Sequence, residues 1–206
     1  ILAKPHADEA GNGMHVHFSV VDQDGKNVFN DGSDTGSDLL KQAVAGCLAA
    51  MPASTLVFAP HGNSYDRLVP GAHAPTSAAW GHENRTAAIR IPGGPASARR
   101  IEHRVAGGDI NPYLMLATVL GAAMVGIEDQ MVPPAPITGN AYEIADLPQL
   151  AESWSAAIDI FESDPLIARI LPEMTIRNLV MTKRQEMRLF AEHPKKSHWL
   201  SLLEAV

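Results

Sequence analysis

Two short stretches carry residue types that do chemistry. RTAAIR runs from Arg85 to Arg90, and RIEHR from Arg100 to Arg104. Both read as β-strands, in which alternate side chains share a face. Arg100, Glu102 and Arg104 then face one way, with Ile101, His103 and Val105 on the other. Arg90 ends the neighbouring apolar strand. An Arg-Glu-Arg ladder is a poor core, because buried charges are costly unless paired. It suits a floor for phosphates and a metal ion. Arginine offers a planar fork to phosphate or carboxylate, and glutamate offers hard oxygen to a divalent cation. The bland alternative is a solvated sheet face whose charges pair with each other.

Three further groups join the candidates. In GNGMHVHFSV the residues Met14 to Val20 alternate as a strand after the flexible Gly11-Asn12-Gly13 turn. Met14, Val16, Phe18 and Val20 take one face; His15, His17 and Ser19 take the other. Two histidines at i and i+2 can share a site, and the alternative is a pair of half-exposed histidines on a hairpin. Arg67 and His73 stand out within Pro60 to Pro75, a stretch too polar and too rich in Gly and Pro for a core element. Such a long loop is uncommon in a compact domain unless it has a job.

These groups need elements to hold them. Ile1 to Ala10 reads as an incoming edge segment. Asp22 to Gly25 is a turn, and Asn27-Val28-Phe29 returns as a short strand. Ser37 or Asp38 caps a helix from Leu39 to Met51, with Cys47 as a buried thiol on its apolar stripe. Pro52 interrupts, and a short helix follows through Leu56 to Phe58. Asn111 caps, and Pro112 opens, a helix to about Gln130. That helix is apolar nearly all round and reads as buried, with Met115 and Met124 filling core gaps. Pro133 to Pro136 breaks the chain as a surface loop or a seam between subdomains. Amphipathic helices follow over Gln149–Glu162 and Pro165–Phe190, the second interrupted near Pro172. Lys183 to Glu186 reads as a solvated face.

The 206 residues are 46% hydrophobic, enough for a sizeable core. A net charge of −7 argues against a nucleic-acid binder as a whole. One cysteine excludes an intrachain disulfide and fits a reducing, cytoplasmic setting. No apolar run is long enough and charge-free enough to span a membrane. The chain opens on Ile1-Leu2-Ala3-Lys4-Pro5, and the expectation is a piece of a longer protein.

GNGMHVHFS, NSYDRLVPG, NRTAAIRIP, RRIEHR and NPYL, in that order, resemble the catalytic domain of the glutamine synthetase family over nearly the whole chain. The resemblance implies an α+β fold, with a curved antiparallel sheet carrying the site and helices behind it. It divides the chain into a sheet-rich active-site part over 1–132 and a mainly helical part over 133–206. It implies an ATP-dependent ligase, in which the γ-carboxylate of glutamate is phosphorylated and an amine nitrogen then attacks. ATP and Mg²⁺ (or Mn²⁺) are the implied cofactors, and a homo-oligomeric ring, usually a dodecamer, the implied assembly. His15 and Glu102 resemble metal ligands, and His17 and Ser19 ATP contacts. Gly11 and Arg67 resemble the glutamate site, with Arg67 clamping the α-carboxylate. Arg85, Arg90 and Arg100 resemble the phosphate-binding arginines, Arg85 at the transferring phosphoryl group, and Arg104 the arginine at the reacting γ-carboxylate.

Two departures qualify the resemblance. The ammonia-using pattern PGYEAP is here Pro70-Gly71-Ala72-His73-Ala74-Pro75, so His73 replaces the glutamate thought to deprotonate ammonium. Ala10 replaces a usual asparagine, and GGPASARRIEHRVAGGD resembles the branch that joins glutamate to polyamines or other amines. The expected acceptor is therefore an organic amine, with His73 as a candidate general base. Further metal ligands belong to upstream strands, and a neighbouring subunit completes each family site, so the chain alone is expected to be inactive. The alternatives are a non-catalytic relative kept for structure or regulation, and a phosphagen-kinase-like transferase.

Overall fold

The computed structural model describes residues 2–193. Four three-residue strands form its sheet: β1 (Val16–Phe18), β2 (Trp80–His82), β3 (Ile89–Ile91) and β4 (Ile101–His103). Their order is β1-β4-β3-β2. β4 runs antiparallel to both β1 and β3, while β2 and β3 are parallel. The α+β expectation holds; the sheet is mixed rather than wholly antiparallel. The strands are shorter than the alternation suggests. Arg85 lies in a turn before β3, and Met14 and Val20 are exposed beyond the ends of β1, an edge strand. The Asp22–Gly25 turn forms, but its return limb is a single Val21–Asn27 bridge, and Ile1–Ala10 makes no strand over its described residues.

Register puts chemistry in one row. His17 pairs with Glu102, and Glu102 with Arg90. The adjacent row is Val16, His103, Ile89 and Trp80. Side chains alternate across a sheet, so the polar row faces away from the apolar one. His103 falls in the core, its ring 4.7 Å from that of Phe58. Burial, and then the nearby His15, push its pKa down to about 4, so it sits there neutral.

Helices back the sheet. α1 (Asp38–Ala50) starts where the Ser37 side chain accepts from the Leu40 N–H, and α4 (Pro112–Glu128) where Asn111 accepts from Tyr113 and Leu114. They cross at Gly46 and Gly126. A Cβ on Gly126 would lie 2.6 Å from the Gly46 nitrogen, so only glycine permits this approach. Cys47 is buried on α1, its pKa raised to about 12 by desolvation. α4 is not buried all round. Tyr113, Leu116, Leu120 and Met124 form an exposed stripe, and only Met115 fills the core as expected.

α2 (Thr55–Phe58) and α3 (Gly62–Tyr65) follow α1. The Pro60–Pro75 stretch is thus partly helical and partly interior, with Ser64, Arg67 and Ala74 buried. Its polar groups are tolerated there because they are bonded: the Ser64 hydroxyl donates to Asp109 at 2.6 Å. The Pro133–Pro136 segment runs along the outer edge of β2. The Trp80 indole N–H donates to the Pro134 carbonyl (2.7 Å), and the Ile137 N–H to the Trp80 carbonyl (2.8 Å). α5 (Trp154–Ser163), α6 (Pro165–Ile170) and α7 (Glu173–Ala191) complete the described chain. α5 starts later than expected because Ser153 caps it; the break between α6 and α7 falls at Leu171–Pro172. Lys183 is buried on α7 and bonded to Glu186 at 2.7 Å, so that stretch is not wholly solvated. The part of the expected helical region over 194–206 lies outside the described residues. Among the described helices none is long and apolar enough to cross a membrane.

Candidate active site

The centre of the site is Glu102, 3% exposed, in the middle of β4. β1 and β3 flank it, so their polar residues meet over it. Arg90 Nη1 donates to Glu102 Oε2 at 2.6 Å, and Arg104 Nη1 to Oε1 at 2.8 Å. His15 Nδ1 lies 3.1 Å and His17 Nε2 3.6 Å from Oε1. Arg100 Nε donates to His17 Nδ1 at 3.2 Å. Four of the expected residues thus converge on one carboxylate, and a fifth, Arg100, reaches it through His17. The charges pair, as the bland alternative foresaw, but they do so out of water rather than on a solvated face.

Electrostatics keep this cluster ionised where it matters. Burial pushes the Glu102 carboxyl up, but the bonds from Arg90 and Arg104 outweigh it and hold the pKa below the ordinary glutamate value. His15 titrates lower than an ordinary histidine, through burial and then the Arg104 charge, against the pull of Glu102. Its imidazole is therefore neutral near pH 7, the form that ligates metals. A carboxylate oxygen has two lone-pair positions, so guanidinium bonds leave Glu102 acceptor capacity. His15 and Glu102 fit one side of a divalent-cation site. Among the described residues, no group of three or more His, Cys, Asp or Glu is placed to hold a metal ion. Two donors alone do not make a tight site.

Arg67 forms a second centre, 2% exposed. Its Nη2 donates to the Val105 carbonyl at 2.5 Å, one residue beyond Arg104, and its buried Nε has no partner among the described residues. The Gly11 backbone lies directly on its stem: a Cβ there would stand 2.8 Å from both Arg67 Cγ and the Ala3 carbonyl. Asn12 stitches this turn to the next loop, accepting from the Gly108 N–H at 2.8 Å. Gly11 and Arg67, far apart in sequence, thus pack directly against each other. Burial lowers the Arg67 pKa and Asp109 acts against it. Guanidinium stays charged regardless.

The remaining expected residues sit at the margin. Arg85 is exposed, and its carbonyl accepts from Arg104 Nη2 at 2.9 Å, which ties its turn to the floor. Ser19 lies exposed just past β1. His73 is exposed with a left-handed φ of 60°, two residues after Gly71 at 82°. Two partners escaped the sequence reading. Glu83 bonds Arg90 Nη2 at 3.1 Å and also accepts from the Gly93 N–H. Tyr142 donates its hydroxyl to the Ala74 carbonyl at 2.9 Å. Glu83 stands next to NRTAAIRIP and was within reach of a closer reading; nothing local marks Tyr142.

Comparison with known proteins shows the family. A family model described as glutamine synthetase, catalytic domain, matches residues 1–201. Gamma-glutamylputrescine synthetase of Escherichia coli is 41% identical over 165 residues, 80% of this chain and 35% of that protein. Gamma-glutamylethanolamide synthetase of Streptomyces coelicolor is 38% identical over 180 residues, 87% of this chain and 38% of that protein. Glutamine synthetase of Halobacterium salinarum is 36% identical, covering 96% and 45%. The solved structure of GmaS without ligand superposes with a TM-score of 0.84 at 30% identity, over 98% of this chain and 47% of that one. The chain spans less than half the length of these relatives.

Proposed function

The chain belongs to the glutamine synthetase family, and we propose that it supplies the glutamate- and phosphate-binding part of an ATP-dependent ligase. The observation that carries this reading is the buried Glu102 carboxylate held between Arg90 and Arg104 and faced by His15 and His17. It is a preorganised charge array of the kind phosphoryl transfer requires. Arg67 binds the α-carboxylate of glutamate, pressed against the Gly11 backbone. A γ-carboxylate oxygen then attacks the terminal phosphorus of ATP, and the phosphorus–oxygen bond to ADP breaks. Arg85, Arg90 and Arg100 hold the phosphates, His17 and Ser19 contact the nucleotide, and Arg104 steadies the γ-carboxylate. The acceptor nitrogen attacks the acyl phosphate, phosphate leaves, and the nitrogen gives up a proton. Mg²⁺ or Mn²⁺ held by His15, Glu102 and donors from outside this chain would neutralise the phosphate charge.

The acceptor is an organic amine or polyamine. Support comes from His73, where the ammonia-using pattern has a glutamate, and from relatives named for putrescine, ethanolamide and, at 33% identity in a Pseudomonas species, isopropylamine. A neutral His73 imidazole accepts the proton that the attacking nitrogen sheds. With two metal donors of its own, the 206-residue chain by itself turns over little or nothing. The whole protein acts in the cytoplasm as a homo-oligomeric ring.

Phosphate release by the full-length protein tests this. ATP, Mg²⁺ and glutamate are held constant while ammonia is compared with mono-, di- and polyamines. Stimulation by one amine class supports the reading. Ammonia outperforming every amine in kcat/KM returns the protein to glutamine synthesis, and no stimulation at all removes the ligase assignment.

A further inference from the structure

Tyr142 lies 68 residues from the carbonyl it bonds, in a segment that touches both margins of the site. It belongs to a 3₁₀ turn, Ala141–Glu143, whose first free N–H groups are satisfied from outside and within. Asn140 caps the Tyr142 N–H at 3.2 Å. The Ala141 N–H donates to Thr86 Oγ1 at 2.9 Å, and Asn84 Nδ2 donates to the Gly139 carbonyl at 2.8 Å. These two bonds grip the turn that carries Arg85. One residue further on, the Tyr142 hydroxyl grips Ala74, the residue after His73, at 2.9 Å. The same chain is anchored upstream on β2 through Pro134 and Ile137. A single strap therefore fixes the Arg85 turn and the His73 loop relative to each other.

The two ends of the loop differ. Ala74 and Pro75 are buried, and beyond them Ala78 donates to the Pro148 carbonyl and Leu150 to the Thr76 carbonyl. Pro70, Gly71 and His73 are exposed, and Gly71 and His73 both hold positive φ. A left-handed non-glycine residue costs backbone energy and persists only where its surroundings hold it. Among the described residues, the Tyr142 bond is the side-chain hydrogen bond nearest in sequence to His73. We infer that Tyr142 is a positioning residue for the acceptor amine: its hydroxyl latches the loop at Ala74, and so sets where His73 stands relative to Arg85. The inference rests on the ligase reading for its acceptor role, and on geometry alone for the latch.

Tyr142→Phe in the full-length protein removes only the hydroxyl. Two readouts separate the possibilities. The first is the KM for the best amine beside those for glutamate and ATP; the second is hydrogen exchange in a peptide covering residues 70–76. Loss of one neutral hydrogen bond predicts a rise of about fivefold in the amine KM, with the other two constants within about twofold, and faster exchange in 70–76. A merely structural role would move all three constants together, and that result overturns the inference. Unchanged exchange in 70–76 overturns it as well, whatever the kinetics. If the wild type shows no amine-stimulated phosphate release, the ligase reading and the acceptor role fall together, while the exchange experiment still decides whether Tyr142 latches the loop.

Discussion

Replacing Glu102 with glutamine keeps its shape and removes its charge. Two guanidinium groups, on Arg90 and Arg104, then lose the carboxylate they bond at 2.6 and 2.8 Å. At an effective dielectric constant of about 20, unit charges about 4 Å apart attract by about 4 kcal/mol, so two pairs give about 8. Desolvating the three groups takes back several kcal/mol, which makes the intact cluster worth little in net terms. Breaking it is different, because Arg104 then stays buried with no other carboxylate bonded to it among the described residues, and Arg90 keeps only the exposed Glu83. The expected loss is about 3–5 kcal/mol, a large share of the roughly 5–15 that hold a domain together. With a urea m-value of about 2 kcal/mol/M, the midpoint falls by about 2 M. Arg184, bonded at the surface to Asp159 and Glu162 across α7 and α5, is the internal control: Arg184→Gln should leave the urea midpoint almost unmoved. The pH dependence has a definite sign. The folded Glu102 pKa is depressed, so its stabilisation is complete above the ordinary glutamate value near 4.5 and is lost as pH falls through the folded pKa. The gap between wild type and Glu102→Gln should therefore be widest near pH 7 and shrink as pH falls below the ordinary glutamate value. Equal stability of the two proteins at pH 7, or a gap that ignores pH, would refute the reasoning.

Three other outcomes follow from the same geometry. Arg67→Lys loses the fork that bonds the Val105 carbonyl, and should raise the glutamate KM of the full-length enzyme about thirtyfold or more while the ATP KM stays near its original value. Steady-state kinetics with each substrate varied in turn checks it. Gly126→Ala drives a methyl group into the Gln42 carbonyl and the Gly46 backbone, and should destabilise by about 2 kcal/mol or more in urea unfolding, whereas Gly25→Ala meets no atom and is limited to the strain of its positive φ. His73→Glu restores to the loop the carboxylate of the ammonia-using pattern, a group that can hold ammonium and take its proton, and should shift relative kcat/KM toward ammonia by about tenfold. Competition between ammonia and the preferred amine measures that ratio.

Much of the site was legible in the residues because the relations were local. Alternation within RIEHR already separates Glu102 and its arginines from His103, since neighbouring side chains on a strand must face opposite ways. The Ser37 and Asn111 caps follow from side chains that satisfy the N–H groups two or three residues on. The five ordered motifs carried the family. Local pattern misled where burial depends on a distant partner. Pro60–Pro75 looked too polar for an interior, yet Ser64 and Arg67 are buried because Asp109 and the Val105 carbonyl bond them from over 35 residues away. The apolar α4 looked buried on every side, but composition says nothing of how many faces find a neighbour, and one face of Tyr113, Leu116, Leu120 and Met124 finds none among the described residues.

By itself, then, the order of residues determined which groups can hold phosphate, carboxylate and metal, and which of them share a strand face. Tertiary structure alone decided that His17, Glu102 and Arg90 stand in one row, that Gly11 lies on Arg67, and that Tyr142 reaches the loop of His73. Strand order, the parallel pairing of β2 with β3 and the path of the strap are settled by packing between segments far apart in sequence, where no short pattern carries the information.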